Sequence, residues 1–190
     1  MIELIRDGHL GGFIRGGDVD TFDPILWDRL IQDYQLTSII DVGCGEGWST
    51  KHFKDQGLDA LGIEGSRLAI DNSPVKDLII QHDYTTGPYE PIRVYDAVWS
   101  CEFVEHVEAK YVPNFLRTFL RARRVFMTYS TIWDGGYHHV NANDQTYWNQ
   151  KLKEIGFNYD EAASLKYRAL ASARWVKATF SVYEINLPLN

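Results

Sequence analysis

Three glycines that follow a short apolar segment constrain this chain more than any other feature of its sequence. Residues 38–42 read SIIDV, and Gly43, Gly45 and Gly47 come directly after them, before a helical pattern begins. Glycines at such a junction allow a tight turn and let the backbone approach a ligand closely. In a doubly wound parallel sheet, a turn of this kind lies at the carboxyl end of a strand, where ligands bind. The pattern predicts an α/β protein with a ligand site at this turn.

The rest of the chain alternates between short apolar strands and helices. Strands are predicted over residues 38–42, 59–64, 77–83, 94–100, 125–130 and 174–185, helices over 24–34, 47–56, 112–123 and 144–155, and residues 157–173 are ambiguous. Apolar strands that alternate with helices predict a parallel sheet covered on both faces. The last stretch alternates with a period near two and follows no helix, which predicts an antiparallel edge strand.

The length predicts a single domain over residues 1–190. Residues 37–185 are assigned to the ligand-binding core. Residues 1–36 contain five glycines between positions 8 and 20 and then a helix that Asp23 caps and Pro24 opens. We expect this N-terminal segment to form a lid over the substrate, because a single domain of this size leaves only loops and termini to hold one.

Net charge and composition indicate which kinds of binding partner and which cellular location to expect. The chain has 19 basic and 26 acidic residues, a net charge of −7, which disfavours binding to nucleic acid. It has two cysteines, too few for a disulfide framework, and no run of about 18 apolar residues that would span a membrane. Its first residues lack the apolar stretch of a signal peptide. These features predict a cytoplasmic protein with no nucleic-acid or membrane partner.

The residues around the glycines disfavour two common classes of nucleotide-binding site, the dinucleotide fold and the phosphate loop. A dinucleotide fingerprint would continue with a glycine at position 48, where this chain has Trp48, and a phosphate loop would need a Gly-Lys-Ser/Thr sequence that is absent here. Asp41 also disfavours an anionic ligand, because a carboxylate beside the turn favours a cation or hydroxyl groups. A ligand with an ammonium and a sulfonium group fits the turn better than a pyrophosphate.

Two further acidic residues end the next two predicted strands. Glu64 ends the second, where a carboxylate can accept hydrogen bonds from both hydroxyls of a ribose. Asp83 ends the third and is followed by Tyr84, so that the carboxylate can accept from the amino group of adenine and the ring can stack on the base. Acids that end three successive strands are a stronger signal than the glycines alone.

With these motifs the chain resembles the class I S-adenosylmethionine-dependent methyltransferases over roughly residues 36–185. The resemblance implies S-adenosylmethionine as the cofactor and a Rossmann-like sheet of seven strands in the order 3-2-1-4-5-7-6, with strand 7 antiparallel. It implies that Asp41, Gly43 and Gly45 surround the methionine part of the cofactor, Glu64 the ribose and Asp83 the adenine. The other cofactor-binding residues that we predict are Cys44, Gly47, Trp48, Gly65, Tyr84, Ser100 and Cys101.

Residues 95–112 and 135–148 resemble the small-molecule methyltransferase group called type 11. The resemblance implies methylation of a small molecule without specifying the substrate. From the three strand-end acids and the histidine-containing loop we predict a small molecule or a sugar group of a glycan as the acceptor, methylated at oxygen. The alternatives are a methyltransferase for RNA or protein, which the net charge disfavours, and a non-catalytic partner subunit that binds the cofactor. A nucleotide-sugar oxidoreductase is disfavoured by Trp48. Homodimer formation stays open.

The segment after the fourth predicted strand places Glu102, Glu105 and His106 close together in the sequence. His106 orders the cofactor pocket or acts as a base in one interpretation. In another, the three side chains bind a divalent cation, as their spacing suggests by similarity to ubiquinone-pathway O-methyltransferases. We predict no metal. Cys44 and Cys101 should reach the same rim of the sheet, as small packing residues or, alternatively, as a reactive or disulfide-bonded pair.

The last candidate motif is the loop over residues 133–141, which reads WDGGYHHVN after the fifth predicted strand. Methyl transfer requires an aligned acceptor and often a base that takes its proton, and histidine titrates nearest to neutral pH. His139, His106 and His138 are therefore the predicted catalytic residues. Bracing of the loop is the alternative role for the histidines. Tyr147 and Trp148 are expected to wall the substrate pocket.

Overall fold

The computed structural model describes residues 3–185. Its strands are Leu4–Arg6 (β1), Gly12–Ile14 (β2), Ser38–Val42 (β3), Asp59–Glu64 (β4), Ile79–Gln81 (β5), Tyr95–Ser100 (β6), Ala122–Met127 (β7), Phe157–Asp160 (β8) and Ser181–Ile185 (β9). Its α-helices are Pro24–Tyr34 (α1), Trp48–Asp55 (α2), Arg67–Asn72 (α3), Val112–Phe119 (α4), Gln145–Glu154 (α5), Glu161–Leu170 (α6) and Arg174–Thr179 (α7).

Seven of the strands form one sheet in the order β5-β4-β3-β6-β7-β9-β8. All neighbouring pairs are parallel except those that include β9, which runs antiparallel to both β7 and β8. This arrangement confirms the predicted order 3-2-1-4-5-7-6 with an antiparallel seventh strand. The strand order reverses direction at β3, between β4 and β6, so the carboxyl ends of β3 and β6 form the crevice where doubly wound sheets bind ligands.

Two hydrophobic clusters fill the two faces of the sheet. Trp27, Phe53 and Trp99 belong to the cluster that packs α1, α2, α6 and α7 on one face. Phe115 and Trp148 belong to the cluster with α4 and α5 on the other face. The prediction that Trp148 walls the substrate pocket is wrong, because its side chain is fully buried in this second cluster. All five residues of β3 are buried between the two layers.

Pairing with the neighbouring strand sets the ends of several elements. The predicted strand over residues 77–83 is only Ile79–Gln81, since these residues pair with Gly62–Glu64 and β4 ends there. Likewise β7 covers 122–127 rather than 125–130, since it pairs along β6 from Tyr95 to Ser100. Helix α4 consequently stops at Phe119.

The predicted strand over residues 174–185 is wrong in its first half, which forms the short helix α7. Helix α7 has only six residues, of which Val176 is the buried one. A helix this short contains too few apolar positions to show the helical periodicity in the sequence. The antiparallel strand β9 is also not the predicted edge strand. Strand β8, from the stretch 157–173 that the sequence leaves ambiguous, pairs with it on its outer side and forms the edge of the sheet. No helix within residues 3–185 is long and apolar enough to cross a membrane.

Candidate functional site

The glycine turn between β3 and α2 has the positive-φ backbone that only glycine adopts readily, as expected of a tight turn. Gly43, Gly45 and Gly47 have φ values of 74°, 56° and 77°, in the region that favours glycine. A Cβ atom on Gly43 would collide with the ring of Phe103. The turn is anchored to β4, because the backbone N–H groups of Gly43 and Cys44 both donate to the carbonyl oxygen of Ile63, at 2.9 and 3.2 Å. The backbone is thus held at the carboxyl edge of the sheet.

Asp41 lies beneath this turn and is only 2% exposed. Its Oδ2 atom accepts hydrogen bonds from the hydroxyls of Ser49 and Thr50, at 2.6 and 2.7 Å. Burial nevertheless dominates and raises the pKa of Asp41 to about 6. A cationic group close to a buried carboxylate stabilises its ionised form.

Glu64 at the end of β4 is fixed by two backbone groups. Its Oε2 accepts from the N–H of Gly45 and its Oε1 from the N–H of Ser66, both at 2.8 Å. Burial raises the pKa of Glu64, against the effect of these bonds. A carboxylate offers about four lone-pair sites, so each oxygen keeps capacity for one further donor, such as a ribose hydroxyl.

Asp83 lies two residues beyond the end of β5. Its Oδ1 accepts from the N–H of Thr85 and its Oδ2 from the Nε2 of His9, both at 2.8 Å. Burial opposes ionisation of Asp83, but the hydrogen bonds from His9 and Thr85 outweigh it and lower its pKa. Tyr84 is buried, and its hydroxyl shares a hydrogen bond of 2.8 Å with that of Thr118.

Two adjoining cavities open along the carboxyl edge of the sheet. The first, of about 80 Å³, is lined by six of the predicted cofactor residues: Gly43, Gly45, Glu64, Gly65, Asp83 and Tyr84. The second, of about 260 Å³, is lined by Asp41, Cys44, Trp48 and Cys101 of that set, together with the same two glycines of the turn. His106 borders both cavities.

Two predicted cofactor residues line neither cavity. Ser100 is fully buried, and its hydroxyl donates to the carbonyl oxygen of Val42 at 3.2 Å. The open side of Gly47 faces Ile79 and Val75, away from the crevice. Both residues therefore contact the protein interior rather than the cavities. Their position in the sequence motif does not distinguish these two possibilities.

The N-terminal residues cover the first cavity, through contacts that the sequence does not predict. Strands β1 and β2 pair as an antiparallel hairpin, with Leu4 opposite Ile14. From the connection between them, Asp7 accepts a hydrogen bond from the Ser66 hydroxyl, His9 donates to Asp83, and Leu10 packs over Gly65. Gly12 and Phe13 line both cavities. No local signal could have found these pairings, since they join residues 59 and 74 positions apart.

The segment after β6 carries a buried acidic pair. Glu102 has a φ of 52° and accepts a 2.9 Å hydrogen bond from the Thr128 hydroxyl. Glu105 is fully buried, and neither of its carboxyl oxygens has a hydrogen-bond partner. Burial raises the pKa of both, and that of Glu105 most strongly, because Glu102 adds like-charge repulsion.

Two of the three predicted catalytic histidines meet beside this pair. The rings of His106 and His139 lie edge to face with centroids 5.0 Å apart, and both line the second cavity. Burial lowers the pKa of His106 to about 4 and also lowers that of His139, so both are neutral at pH 7. His138 lines neither cavity; it has a φ of 59°, and its carbonyl oxygen accepts from Nδ1 of His106 at 3.3 Å. The backbone of His138, rather than its ring, therefore contacts His106.

One group of side chains in residues 3–185 has the spacing of metal ligands. A carboxyl oxygen of Glu105 and one ring nitrogen each of His106 and His139 all lie within 4.8 Å of one another. Glu102, which the sequence pattern grouped with Glu105 and His106, is outside this set. His139 comes from a loop that sequence spacing alone could not connect to the other two.

The two cysteines behave as packing residues. Cys44 and Cys101 both line the second cavity and neither forms a disulfide. Burial raises the pKa of both thiols well above the usual range, which disfavours the reactive thiolate. Glu46, for which the glycine motif predicts no role, lines the same cavity, is 5% exposed and accepts a hydrogen bond from the N–H of Gly16 at 2.9 Å.

Comparison with known proteins agrees with this geometry. A family model described as a methyltransferase domain matches residues 40–126. No curated protein matches the chain. The TehB-like S-adenosylmethionine-dependent methyltransferase of Corynebacterium glutamicum is 16% identical and aligns over 90% of both chains, with a TM-score of 0.59.

Two other solved structures share the fold. The magnesium protoporphyrin IX methyltransferase of Synechocystis, solved with bound SAH, is 14% identical over 84% of this chain and 78% of its own, with a TM-score of 0.61. The methyltransferase domain of a bacterial Hen1 is 18% identical over 86% of this chain and 98% of its own, with a TM-score of 0.56.

Proposed function

We propose that the chain is a class I S-adenosylmethionine-dependent methyltransferase that transfers the methyl group to an oxygen atom of a small molecule or of a sugar group; the methyltransferase family model over residues 40–126 and the shared fold support this. S-adenosylmethionine supplies an electrophilic methyl group on a sulfonium centre. The observation that carries the proposal is the pair of adjoining cavities, with neutral imidazoles at the second one.

The residues at the carboxyl edge fit this cofactor. Asp41 is a buried carboxylate whose hydrogen-bond donors are two neutral hydroxyls, so a cationic ligand group would stabilise its charge. Glu64 is held with free lone pairs for two hydroxyls. We propose that Asp41 and the glycine turn hold the methionine part, that Glu64 holds the ribose, and that Asp83 and Tyr84 border the adenine. The neighbouring residues proposed to contact the cofactor are Cys44, Trp48, Gly65 and Cys101.

The size and charge of the second cavity support a small, uncharged acceptor. Its volume of about 260 Å³ is near the lower limit of about 300 Å³ for small-molecule pockets. None of the described residues that line either cavity is a lysine or an arginine, whereas Asp18, Asp41 and Glu46 all line the second. A carboxylate or phosphate on the acceptor would find no cationic partner there, so a neutral hydroxyl fits better.

His106 and His139 are proposed to activate the acceptor oxygen. A neutral imidazole offers a lone pair, which can take the proton of an acceptor hydroxyl or hold a cation that polarises it. Both rings border the space that the acceptor would occupy, and the carbonyl of His138 fixes the orientation of His106.

We expect the hairpin formed by β1 and β2 to act as a lid over the cofactor as well as the substrate. With the hairpin in place, the first cavity has a volume of only about 80 Å³, below that of ordinary ligand pockets. Amide hydrogen exchange in residues 4–14 should therefore be fast in the free protein and slow down markedly with S-adenosylhomocysteine, because local opening must precede binding. Unchanged exchange in this segment, with saturation verified by calorimetry, would contradict a lid role.

A methyl-transfer assay tests the proposed function directly. The purified protein, supplied with cofactor labelled in the methyl group, is offered neutral sugars and phenols, the corresponding carboxylates and phosphates, RNA and a mixture of proteins. We expect label in the neutral hydroxyl compounds. Label only in RNA or protein would favour a macromolecular acceptor, and tight cofactor binding without any transfer would favour a non-catalytic partner subunit; either result overturns the proposal.

A further inference from the structure

We propose that Glu46 selects an acceptor with a second hydroxyl group beside the one that is methylated, so that a sugar ring is favoured over a simple alcohol or a phenol. One carboxyl oxygen of Glu46 accepts a hydrogen bond from this second hydroxyl. The proposal rests on the proposed function, because it takes the second cavity as the place of the acceptor. It narrows the acceptor from small neutral molecules in general to polyols.

The carboxylate of Glu46 has one oxygen with partners and one without. Its Oε2 accepts hydrogen bonds from the N–H of Gly16 at 2.9 Å and from Nε1 of Trp48 at 3.1 Å. Its Oε1 is buried and has no hydrogen-bond partner among residues 3–185, and the whole residue is only 5% exposed. Buried polar atoms are almost always paired, and an unpaired oxygen of a carboxylate is costly. A hydrogen-bond donor on a ligand would complete this group.

The contacts of Oε2 fix the orientation of the carboxylate. Gly16 follows strand β2 of the hairpin, whereas Trp48 opens helix α2 behind the glycine turn. The ring of Trp48 also lies against Gly17, where a Cβ would be only 3.0 Å from Cδ1 of the ring. Glu46 therefore bridges the glycine turn and the N-terminal segment. An acceptor group held in this way loses little freedom when a ligand binds, which favours both affinity and discrimination.

Glu46 lies on the acceptor side of the glycine turn. It lines the second cavity, as His139 does, and not the first, where the ribose and adenine contacts are proposed. Asp18 lines the second cavity as well, and its Oδ1 accepts from the N–H of Asp20 at 2.9 Å. The same cavity thus contains an imidazole proposed to activate one hydroxyl and carboxylates that can accept from another.

The electrostatics of the cavity favour a hydroxyl as the missing donor. Among residues 3–185, no lysine or arginine lines this cavity, so no cationic side chain pairs with Glu46 there. An ammonium group on the acceptor could pair with the carboxylate, but it would lie in the same small cavity as the positive charges of the cofactor, which repel it. A hydroxyl meets no such repulsion, and its hydrogen bond to a carboxylate is strengthened by the charge.

Aromatic rings in the same cavity suit the apolar faces of a sugar. Phe13, Phe22 and Tyr137 line the cavity together with Glu46. A pyranose carries hydroxyls around its edge and C–H bonds on its faces, so one face can pack on a ring while an edge hydroxyl reaches the carboxylate. Aromatic walls with a few placed polar groups are typical of small-molecule sites that fix the orientation of a ligand.

A cycle of enzyme and acceptor variants tests this role. Transfer of labelled methyl is measured with methyl glycosides of the common hexoses and 6-deoxyhexoses, and then with each singly deoxygenated form of the best acceptor. Cyclohexane-1,2-diol and cyclohexanol form a second matched pair. In wild type, loss of the second hydroxyl should lower kcat/KM by about 10- to 100-fold, the effect of one hydrogen bond to a charged group.

Glu46→Gln should remove this discrimination. The amide oxygen can keep the contacts to Gly16 and Trp48, while an N–H₂ group replaces Oε1. We expect a loss of about tenfold in kcat/KM for the best sugar, mainly through KM, because an interaction with the bound acceptor is weakened. The analogue without the second hydroxyl should change by less than about twofold, since the bond is already absent from it. A merely structural role would lower both values together.

Two controls accompany the cycle. The Kd of S-adenosylhomocysteine in Glu46→Gln should stay within about threefold of wild type, since the lost contact is to the acceptor. Glu154→Gln removes an exposed carboxylate that pairs with Lys151 and lines neither cavity, and it should keep wild-type kinetics with every acceptor. If Glu46→Gln fails to fold, the deoxygenated sugars and the cyclohexane pair still test the second hydroxyl in wild type.

The proposal is overturned if the diol and the simple alcohol react equally well, or if Glu46→Gln affects all acceptors alike. A parallel loss of cofactor affinity would assign Oε1 to the ammonium of the cofactor instead. Faster methylation of an aminodeoxy glycoside than of its parent would indicate a cationic acceptor and would also overturn it. Transfer to phenol or cyclohexanol but to none of the glycosides would exclude this role of Glu46 and leave the proposed function standing.

Discussion

Replacing Glu64 by glutamine is expected to weaken binding of S-adenosylhomocysteine by about 100- to 1000-fold. Hydrogen bonds to a charged group contribute about 1.5–3 kcal/mol each, and the proposed ribose contact has two of them. Since about 1.4 kcal/mol corresponds to a factor of ten in affinity, loss of both bonds would cost about two to four orders of magnitude. Glutamine keeps one acceptor oxygen, so we expect the loss to lie in the lower part of this range, at about two to three orders. Isothermal titration calorimetry of the purified variant measures it.

The same substitution also affects the glycine turn. Glu64 accepts from the N–H groups of Gly45 and Ser66, and a glutamine would point its own N–H₂ at one of these donors. Glu64→Asp keeps the charge on a shorter side chain and should bind more tightly than Glu64→Gln. Glu90→Gln removes an exposed carboxylate that pairs with Arg117 and lines neither cavity, and it should bind as wild type does. A Glu64→Gln variant within threefold of wild type would rule out the ribose contact.

Replacing His139 by alanine is expected to lower kcat by at least about 100-fold and to change the Kd of S-adenosylhomocysteine by less than about threefold. Groups that move or polarise a reacting proton contribute about 10²- to 10⁴-fold to the rate. His139 lines the second cavity but not the first, so the loss should fall on turnover rather than on cofactor binding.

Steady-state kinetics with an acceptor from the transfer assay, paired with calorimetry, separates these two effects. His138→Ala is the matched comparison, because it removes a neighbouring imidazole that lines neither cavity and keeps the carbonyl that positions His106. Its loss of kcat should be clearly smaller. Parallel losses of turnover and cofactor affinity in His139→Ala would indicate that the ring only braces the loop.

Much of the sheet could be predicted from the sequence because its signals are local. The apolar strand SIIDV, the glycines after it and the cap at Asp23 each act within a few residues, and all three are present as predicted. The strand over 174–185 failed for the opposite reason. Helix α7 is only six residues long, and its identity depends on packing against the rest of the chain, which periodicity does not encode.

The residues of the candidate site likewise include some that local sequence predicts and some that only the folded chain brings together. Asp41, Glu64 and Asp83 could be located because each lies within two residues of the carboxyl end of a strand. The choice between His138 and His139 could not be made, since in an irregular loop neighbouring residues have no fixed alternation. The hydrogen bond between His9 and Asp83 joins segments that only the folded chain brings together.

The proposed lid role of the β1–β2 hairpin has a kinetic consequence. Gly12 and Phe13 line both cavities, so such a lid would enclose the two compartments together. Neither product could then leave while the lid is closed, and its opening would come after the chemical step in every cycle. An enzyme of this kind would show a rapid first turnover followed by a slower steady state. Its kcat would be set by the opening of a short glycine-rich hairpin rather than by the methyl-transfer step.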